Sequence, residues 1–477
     1  MAEQRILAAV LAASLAAGCT LAPEYVRPDA PVAGTYPVAA EADGTAAADL
    51  GWRDVFSDER LQALIALALE NNRDLRVAAL NVERARALYR IERSPLFPSV
   101  GATGSVTVQE LPAAIPSSAF APDAQWSANV GVTSWELDFF GRIRSLSEAA
   151  LEQFFATEEA RRSAHLALVA EVATAHFTER ALAEQLELAR KTLETVEASF
   201  DLTRRSFELG RSSELDFRTA ESQVQTARYN FAFYEERLGK ARNALVFLVG
   251  APLPDDLPAA KPLVESTVIA DLPAGLPSDL LVRRPDILAA EHQLKAANAS
   301  IGAARAAFFP SISLTGAAGF SSTDLGQLFQ GDSFTWNFTP RIHIPIFQGG
   351  RLSASLDAAE VGKEIEIARY ERAIQAAFRE VADGLVARET ISRQLAAQQA
   401  RVAAEQRRYE LAELRYRAGV DSYVTLLTAQ RDLYSAQQTL IDAHAAQLTN
   451  VANLYRALGG GWRETTAQAA APAGEQG

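Results

Sequence analysis

The sequence predicts a mixed, mainly α fold that combines very long helices with a few transmembrane β-strands. Three observations support this fold class. The chain is internally duplicated, each half contains strand-length stretches of alternating apolar and polar residues, and the helical stretches are far longer than one compact domain needs. With 477 residues, 48% of them hydrophobic, the chain is long enough to bury a large core.

The chain begins with the features of a secretory signal. A short apolar stretch follows Arg5 and ends at Gly18-Cys19, and it is too short to span a membrane stably. The run from Leu15 to Cys19 resembles a bacterial lipoprotein signal, in which the cysteine receives a diacylglycerol and an N-acyl chain. We therefore expect residues 1–18 to be a signal peptide that is removed. The alternative is that the cysteine is a buried free thiol in a helical N terminus.

The new N terminus is then Cys19, and we expect it to carry palmitate as a lipoprotein anchor. Thr20 follows it, whereas an aspartate there would suggest retention at the inner membrane, so the sequence fits delivery to the outer membrane. Residues 19–50 are rich in Pro and Ala, which predicts an extended, lipid-anchored segment.

The remaining chain is a tandem duplication. The run around Phe97-Pro98-Ser99 returns 212 residues later as Phe309-Pro310-Ser311, and Gly210 returns 209 residues later as Gly419. The two halves therefore differ by about three residues in one loop. We expect a first repeat at 51–250 and a second at 279–460, each formed by a helix, a β-hairpin, a very long helix and a shorter helix.

The two predicted hairpins, 99–138 and 311–347, alternate with period two. In the first, Trp126, Ala128, Val130 and Val132 lie opposite small polar residues. In the second, the apolar face runs from Phe334 to Ile344 and Ile346. Stretches of about ten residues with one apolar and one small, polar face are typical of transmembrane strands around a wet lumen. A soluble sheet with one solvated face is the alternative.

The helices favour the membrane alternative. Residues 143–209 contain neither Gly nor Pro over 67 residues, which corresponds to roughly 100 Å of helix. Their apolar residues follow a heptad-like spacing. Gly210 ends this helix and Gly419 ends its counterpart, 353–418, before the shorter helices at 212–248 and 421–458. Helices of this length are expected to project from the strands as packed rods.

Four strands leave two open edges, which cannot face lipid with unpaired backbone groups. Two chains would supply eight strands and three would supply twelve. Small polar residues on the inner face suit a wide, water-filled interior, so three copies are the better inference.

Composition excludes several other functions. The formal net charge of -13 argues against a nucleic-acid partner. The single cysteine excludes a disulfide framework and a thiolate zinc cluster. Walker, GxSxG and HExxH motifs are absent from the sequence. We therefore expect neither an enzyme nor a bound cofactor or metal beyond the acyl chains on Cys19. The five histidines are scattered: His165, His176, His292, His343 and His444.

Four runs of residues carry a family resemblance. They are Cys19 to Pro28, Ser134 to Ile143, Arg283 to Ser311 and Tyr416 to Tyr423. The chain resembles the outer-membrane factor family of tripartite efflux pumps, the TolC/OprM-like ducts, and within it the lipoprotein branch. The resemblance covers residues 19 to about 460.

The resemblance implies a homotrimer with a long-helix coiled-coil α-barrel and a transmembrane β-barrel of four strands per chain, twelve in the trimer. It implies a passive duct in the outer membrane of a Gram-negative bacterium, with a long periplasmic extension. The partners are a periplasmic membrane-fusion adaptor and an inner-membrane transporter of the resistance-nodulation-division (RND) type. The exported compounds would be drugs or other small molecules, as in multidrug resistance. A duct for protein secretion and a pore-less periplasmic coiled-coil scaffold are the alternatives.

The resemblance also implies an iris-like gate at the periplasmic helix tips. The constricting apolar residue falls on Val424, and the neighbouring tip positions fall on Thr425, Thr428 and Arg431. The latch between helices falls on Tyr416 and Asp216, whereas the alternative assigns Tyr416 to a heptad face and Arg431 to a solvated surface. Many members carry an aspartate where Thr428 stands, so a cation-binding ring at that level is not predicted here.

Two further segments complete the domain organisation. The linker 251–278 holds six prolines and is expected to lie around the middle of the tunnel, in an equatorial position. Residues 461–477 are expected to form a disordered tail.

Overall fold

The computed structural model describes residues 20–37, 46–108, 124–266, 268, 272 and 277–466. Within these residues the chain forms nine α-helices and four β-strands, which confirms the mixed, mainly α fold class. The strands are β1 (Val100–Val108), β2 (Ala124–Leu137), β3 (Ser311–Ser322) and β4 (Phe334–His343). The helices are α1 (Trp52–Val55), α2 (Glu59–Asn71), α3 (Arg73–Arg93), α4 (Arg142–Glu208), α5 (Glu214–Val249), α6 (Pro277–Arg283), α7 (Pro285–Ala306), α8 (Arg351–Arg417) and α9 (Tyr423–Ala457).

The four strands form one antiparallel sheet in the order β1-β2-β3-β4. Val100 pairs with Val132 across the first hairpin, and Ser311 pairs with His343 across the second. The central pair, β2 and β3, joins the two halves of the chain, with Trp126 opposite Ser322. The duplicated hairpins therefore share one continuous sheet, in which β1 and β4 are the edge strands.

The second hairpin is shorter than predicted, because β4 ends at His343 rather than near residue 347. The assignment of Ile344 and Ile346 to this strand is wrong. His343 already pairs with Ser311, the first residue of β3, so the following residues find no partner there. Pro345 also lacks the N–H that a ladder needs.

A β-bulge interrupts the pairing of β2 with β3 between Val132 and Trp135. Ser134 within it has a φ of 53°, and its N–H donates a hydrogen bond to Thr315 Oγ1 at 3.2 Å. Because the bulge inserts one residue into β2, the face that carries even-numbered residues before it carries odd-numbered residues after it. Trp135 therefore continues the face that Val132 occupies above the bulge, which simple alternation does not reveal.

The helices follow the predicted pattern closely. Helices α4 and α8 each contain 67 residues, and α5 and α9 follow them after short turns. The observed ends of these four helices lie within two residues of the predicted ones. No helix in the described part of the chain has a stretch apolar enough to cross a lipid bilayer.

The chain divides into two compact units. The sheet unit comprises, among the described residues, 20–29, 81–108, 124–158 and 289–371. The helical unit comprises 30–37, 46–80, 159–266, 268, 272, 277–288 and 372–466. The core of the helical unit includes side chains that are almost completely buried, namely Phe56, Leu61, Leu64, Ile65 and Tyr455.

The C-terminal segment differs in part from the predicted disordered tail. Residues 461–466 pack against the helical unit, where Arg53 Nε donates to Glu464 Oε1 at 2.7 Å and Trp52 N–H donates to the carbonyl of Arg463 at 2.9 Å. The ring of Trp462 lies 4.9 Å from that of His165. The predicted start of the tail is therefore wrong by at least six residues, because these backbone and ion-pair contacts hold the segment in place.

The predicted signal peptide, Cys19 and residues 467–477 lie outside the described residues. In the predicted extended segment, residues 20–37 have no regular secondary structure, and residues 47–49 form one turn of 3-10 helix. The described part of the linker contacts α4, where Leu263 N–H donates to Glu184 Oε1 at 2.7 Å.

Candidate gate at the helix-hairpin tips

The two long helices end in the same kind of turn, one in each repeat. After α4, the N–H groups of Gly210 and Arg211 donate to the carbonyls of Phe207 and Ser206 at 2.9 and 2.8 Å. This is the hydrogen-bond pattern of a Schellman motif, and Gly210 has the positive φ of 72° that the motif requires.

The turn after α8 repeats this pattern 209 residues later. Gly419 N–H donates to the carbonyl of Tyr416 at 3.0 Å, and Val420 N–H donates to that of Arg415 at 2.9 Å. Gly419 has a φ of 71°. Equivalent residues thus form equivalent tips, and the predicted gate residues lie at or beside them in the helical unit.

The predicted latch residue Asp216 lies in the first turn of α5, where it supports the helix N terminus. The N–H of Asp216 donates to Ser213 Oγ at 3.1 Å, and the Ser213 hydroxyl donates to the Asp216 carboxylate at 2.7 Å. This is a reciprocal cap, and the negative charge also suits the positive end of the helix dipole. In the second repeat the equivalent pair is uncharged, with Ser422 Oγ 3.3 Å from Thr425 Oγ1.

The other latch residue, Tyr416, links the two helix pairs by packing. Its ring centroid lies 5.7 Å from that of Tyr423. It contacts one buried cluster of Ala220, Tyr423 and Leu427 and a second cluster of Ala412, Leu426 and Ala429. The first cluster contains Ala220 of α5. Tyr416 therefore takes part in the contact between the helix pair α4–α5 and the helix pair α8–α9.

Electrostatics connect Asp216 to this cluster. Burial, and then the nearby charges of Tyr416 and Asp216, raise the pKa of Tyr423 to about 12. Within the described residues no hydrogen bond joins Asp216 to Tyr416 directly, since the carboxylate instead accepts a hydrogen bond from Ser213. The latch between Asp216 and Tyr416 therefore stays a prediction, whereas the structure does place Tyr416 against Tyr423.

The remaining predicted gate residues share one exposed face of α9. They are Val424, Thr425, Thr428 and Arg431, whereas Leu426, Leu427 and Ala429 between them are buried. Val424 is 53% exposed although it is apolar. Thr428 Oγ1 donates to the carbonyl of Val424 at 2.8 Å, so its hydroxyl proton is directed at its own helix. We call these four residues the tip stripe.

One ion pair at the second tip is a feature that the sequence analysis missed. Arg415 Nε and Nη2 donate to the two carboxylate oxygens of Asp421 at 2.7 and 2.8 Å. These hydrogen bonds lower the pKa of Asp421 and raise that of Arg415. A fork-to-carboxylate pair is geometrically specific, and this one bridges the turn from α8 to the residue before the Ser422 cap. Asp421 lies within the recognised stretch from Tyr416 to Tyr423, and Arg415 immediately precedes it, but their pairing depends on the turn geometry rather than on helical spacing.

Comparison with known proteins identifies the class of molecule to which these tips belong. The model of the outer membrane efflux protein family matches residues 64–251 and 276–460. The chain belongs to the outer membrane efflux protein family. The toluene efflux pump outer membrane protein TtgC of Pseudomonas putida is 51% identical over 471 residues, which are 97% of this chain and 97% of TtgC. The cation efflux system protein CusC of Escherichia coli is 40% identical over 464 residues, covering 94% and 96% of the two chains.

Solved structures of this family have the same fold. The open state of the MtrE outer membrane channel of Neisseria gonorrhoeae superposes with a TM-score of 0.86 at 42% identity, covering 94% of this chain and all of that one. A crystal structure of CusC gives a TM-score of 0.83 at 40% identity.

The family assignment confirms the expected function class. Its members are outer-membrane components of tripartite efflux pumps, and this chain is an outer-membrane efflux channel rather than an enzyme. Among the described residues no group of three or more His, Cys, Asp and Glu side chains is placed to hold a metal ion.

Proposed function

We propose that three copies of this chain close into one passive duct. The supporting observation is the order of the sheet, in which β1 and β4 each have a strand neighbour on one side only within the described residues. An open edge exposes unpaired N–H and C=O groups, which lipid cannot satisfy. Pairing β4 of one copy with β1 of the next removes every edge when the ring closes. Three copies of the four strands supply twelve, within the range of membrane barrels.

The apolar face of β4 is consistent with this arrangement. Phe334, Trp336, Phe338 and Ile342 are more than half exposed in the single chain, and they alternate with Thr335, Asn337 and Thr339. In a closed trimer the aromatic face would contact lipid and the polar face would line a wet lumen. We propose that drugs or other small molecules leave through this lumen without energy input by the channel itself.

The duct requires partners on its periplasmic side. We propose that its tips dock onto a periplasmic membrane-fusion adaptor, which connects them to an inner-membrane transporter of the RND type. The family assignment supports this arrangement, because the family's members belong to tripartite pumps. The pump would select the exported compound, and the channel would provide the passage.

We further propose that Cys19 carries the lipid anchor. Palmitate labelling of the wild-type protein and of a Cys19→Ser variant tests this assignment. Loss of the label in the variant supports the anchor, and a label that persists contradicts it. This result leaves the duct proposal untouched.

The gate is proposed at the tips of the helix pairs. The tip stripe would constrict the tunnel, and the cluster around Tyr416, together with the charge of Asp216, would hold the tips closed. Since three copies would meet at the axis, one substitution would weaken the same contact in each of the three chains.

Single-channel conductance in planar bilayers tests both the duct and the gate. Asp216→Asn removes the charge but keeps an oxygen that can accept the hydrogen bond from Ser213, so the cap is largely preserved. We expect Asp216→Asn to increase the open probability of an otherwise quiet channel. Glu214→Gln, a change at an exposed acidic residue of the same helical turn, is the matched control and should leave it unchanged.

The mass of the detergent-solubilised particle completes the test. A trimer that conducts ions supports the duct. A folded monomer that conducts no ions in lipid contradicts it, whereas a conducting trimer in which Asp216→Asn behaves like Glu214→Gln contradicts the latch alone.

A further inference from the structure

The N-terminal segment of the sheet unit lies along α7. We call residues 20–29 the strap. At one end, a Cβ added to Gly302 would lie only 2.8 Å from the backbone nitrogen of Ala22, so the two backbones approach more closely than a side chain allows. Next to it, Asn298 Nδ2 donates to the carbonyl of Pro23 at 2.7 Å.

The strap and α7 run in opposite directions, in matching register. The strap contacts Gly302 through Ala22 and Glu291 through Arg27. Eleven helical residues separate the two contact positions on α7, which is about 16 Å at 1.5 Å per residue. Five extended residues of the strap cover about 16 Å at 3.3 Å per residue. The two lengths match, which fits a strap that runs in extended form along the helix.

Glu291 forms the contact at the other end of the strap, where its carboxylate accepts four hydrogen bonds from Tyr25 and Arg27. Arg27 donates to it through Nη2 at 2.8 Å to Oε2 and 3.0 Å to Oε1, and through Nε at 3.1 Å to Oε1. The hydroxyl of Tyr25 donates to Oε1 at 3.1 Å. Lys295 Nζ lies 3.5 Å from Oε1 and 5.4 Å from the centre of the Tyr25 ring.

Because Glu291 is buried, its carboxylate depends on the strap for hydrogen-bond partners. Its side chain is only 3% exposed, and a buried carboxylate is costly unless it is paired and hydrogen-bonded. Two of its three partners, Tyr25 and Arg27, come from the strap. Burial, and then the charge of Glu291, raise the pKa of Tyr25 above its usual value, so the hydroxyl keeps the proton that it donates.

We propose that Glu291 is a positioning residue that latches the strap to α7 and thereby holds the N terminus beside the membrane sheet. Residue 19 precedes Ala22 by three residues, which span at most about 11 Å. Ala22 lies against Gly302, near the end of α7, and β3 begins at Ser311 shortly after that end. Where Cys19 is acylated, as proposed above, the latch fixes where the acyl chains enter the outer membrane.

The latch makes a prediction that is separate from acylation. The strap should stay docked when the lipid is removed, because its contacts are made with protein. A membrane-held strap would instead become mobile without the acyl chains.

Electron paramagnetic resonance of a spin label on the strap tests this proposal in the full-length protein. Val26→Cys places the label between Tyr25 and Arg27, on a side chain that is 75% exposed, so the label does not replace a contact. We expect an immobilised label in the otherwise wild-type chain, and a rotational correlation time that falls at least threefold on Glu291→Gln. Glu83→Gln, which breaks an exposed pair with Arg86 in the same unit, is the control and should leave the spectrum unchanged.

Arg27→Gln provides the second variant, since it removes the same pair from the strap side and leaves α7 intact. Mobilisation of the label by both variants supports the latch. An immobilised label in both overturns it, and so does a Cys19→Ser background that mobilises the label as much as Glu291→Gln. The intact mass of the protein reports acylation separately, so an absent acyl chain contradicts the anchor while the docked strap still stands.

Discussion

Two adjacent arginines in the helical unit allow a sharp test of how burial changes the energy of an ion pair. Arg284 is 5% exposed in its side chain and donates to Asp286 at 2.9 and 2.6 Å, to Glu380 at 3.0 Å and to the carbonyl of Ala457 at 2.9 Å. Its neighbour Arg283 is 36% exposed and pairs with Asp49 at 2.6 Å.

The expected cost of Arg284→Ala follows from these contacts. The change leaves the Ala457 carbonyl without this donor, which lowers the free energy of unfolding by about 1–3 kcal/mol. It also removes the positive charge beside the carboxylates of Asp286 and Glu380. Loss of one partner from a buried pair costs about 3–5 kcal/mol in total. We expect the lower end, about 3 kcal/mol, because Arg456 still lies 3.5 Å from Glu380. Arg283→Ala should cost about 1 kcal/mol or less, as for other surface pairs.

Urea unfolding of the detergent-solubilised protein, followed by far-UV circular dichroism, measures the difference. Urea is chosen because guanidinium salt would screen the pairs. Equal shifts of the unfolding midpoint for the two alanine variants, at unchanged slope, would refute the argument from burial. Arg284→Lys keeps the charge but loses the forked geometry, and it should fall between the wild-type protein and Arg284→Ala.

Two further predictions concern the helical unit. Burial, and then the charge of Arg161, lower the pKa of His165 to about 4. The unfolded chain therefore binds a proton near pH 6.5 that the folded chain takes up only near pH 4, and stability should fall by up to about 3 kcal/mol as the pH drops through this window. His165→Phe keeps a ring against Trp462 and should remove this share of the pH dependence of the urea midpoint, leaving the share of His176, whose pKa burial also lowers. A pH dependence equal to that of the wild-type protein would contradict the assignment. The hydroxyl of Tyr455 donates to the carbonyl of Leu50 at 2.6 Å, so Tyr455→Phe should cost about 1 kcal/mol in the same assay; Tyr229→Phe, at a 67% exposed position, should cost nothing measurable.

Local rules predicted much of the fold. A stretch without Gly or Pro delimited α4, and a Pro-free stretch at the equivalent place in the second repeat delimited α8, each to within two residues. The glycines of the tips marked where the chain turns. The bulge at Ser134 escaped notice because a count of alternating residues restarts on either side of an inserted residue. Strand β4 was predicted too long because its end depends on where its neighbour β3 begins, which is a property of the pair.

The candidate site was predictable only in part. The tip stripe was found through the resemblance, and helical spacing places it on one face. The pair of Arg415 with Asp421 was not found, because it depends on how a Schellman turn directs two side chains. The contact between Arg27 and Glu291 joins residues 264 positions apart, and nothing in the local pattern of either segment indicates the other.

The duplication produced two helix-hairpin ends that have the same backbone conformation but different polar side chains. At one end the capping hydroxyl of Ser213 donates to the Asp216 carboxylate, and at its counterpart the Arg415 guanidinium donates to the Asp421 carboxylate. A ring of three chains would present six ends, alternating between these two kinds around the axis. A partner that recognises only the shape of the ends would have six equivalent binding sites. A partner that recognises their charged side chains would have three, one kind of end on each chain. The stoichiometry of a bound adaptor would therefore report which of these properties it recognises.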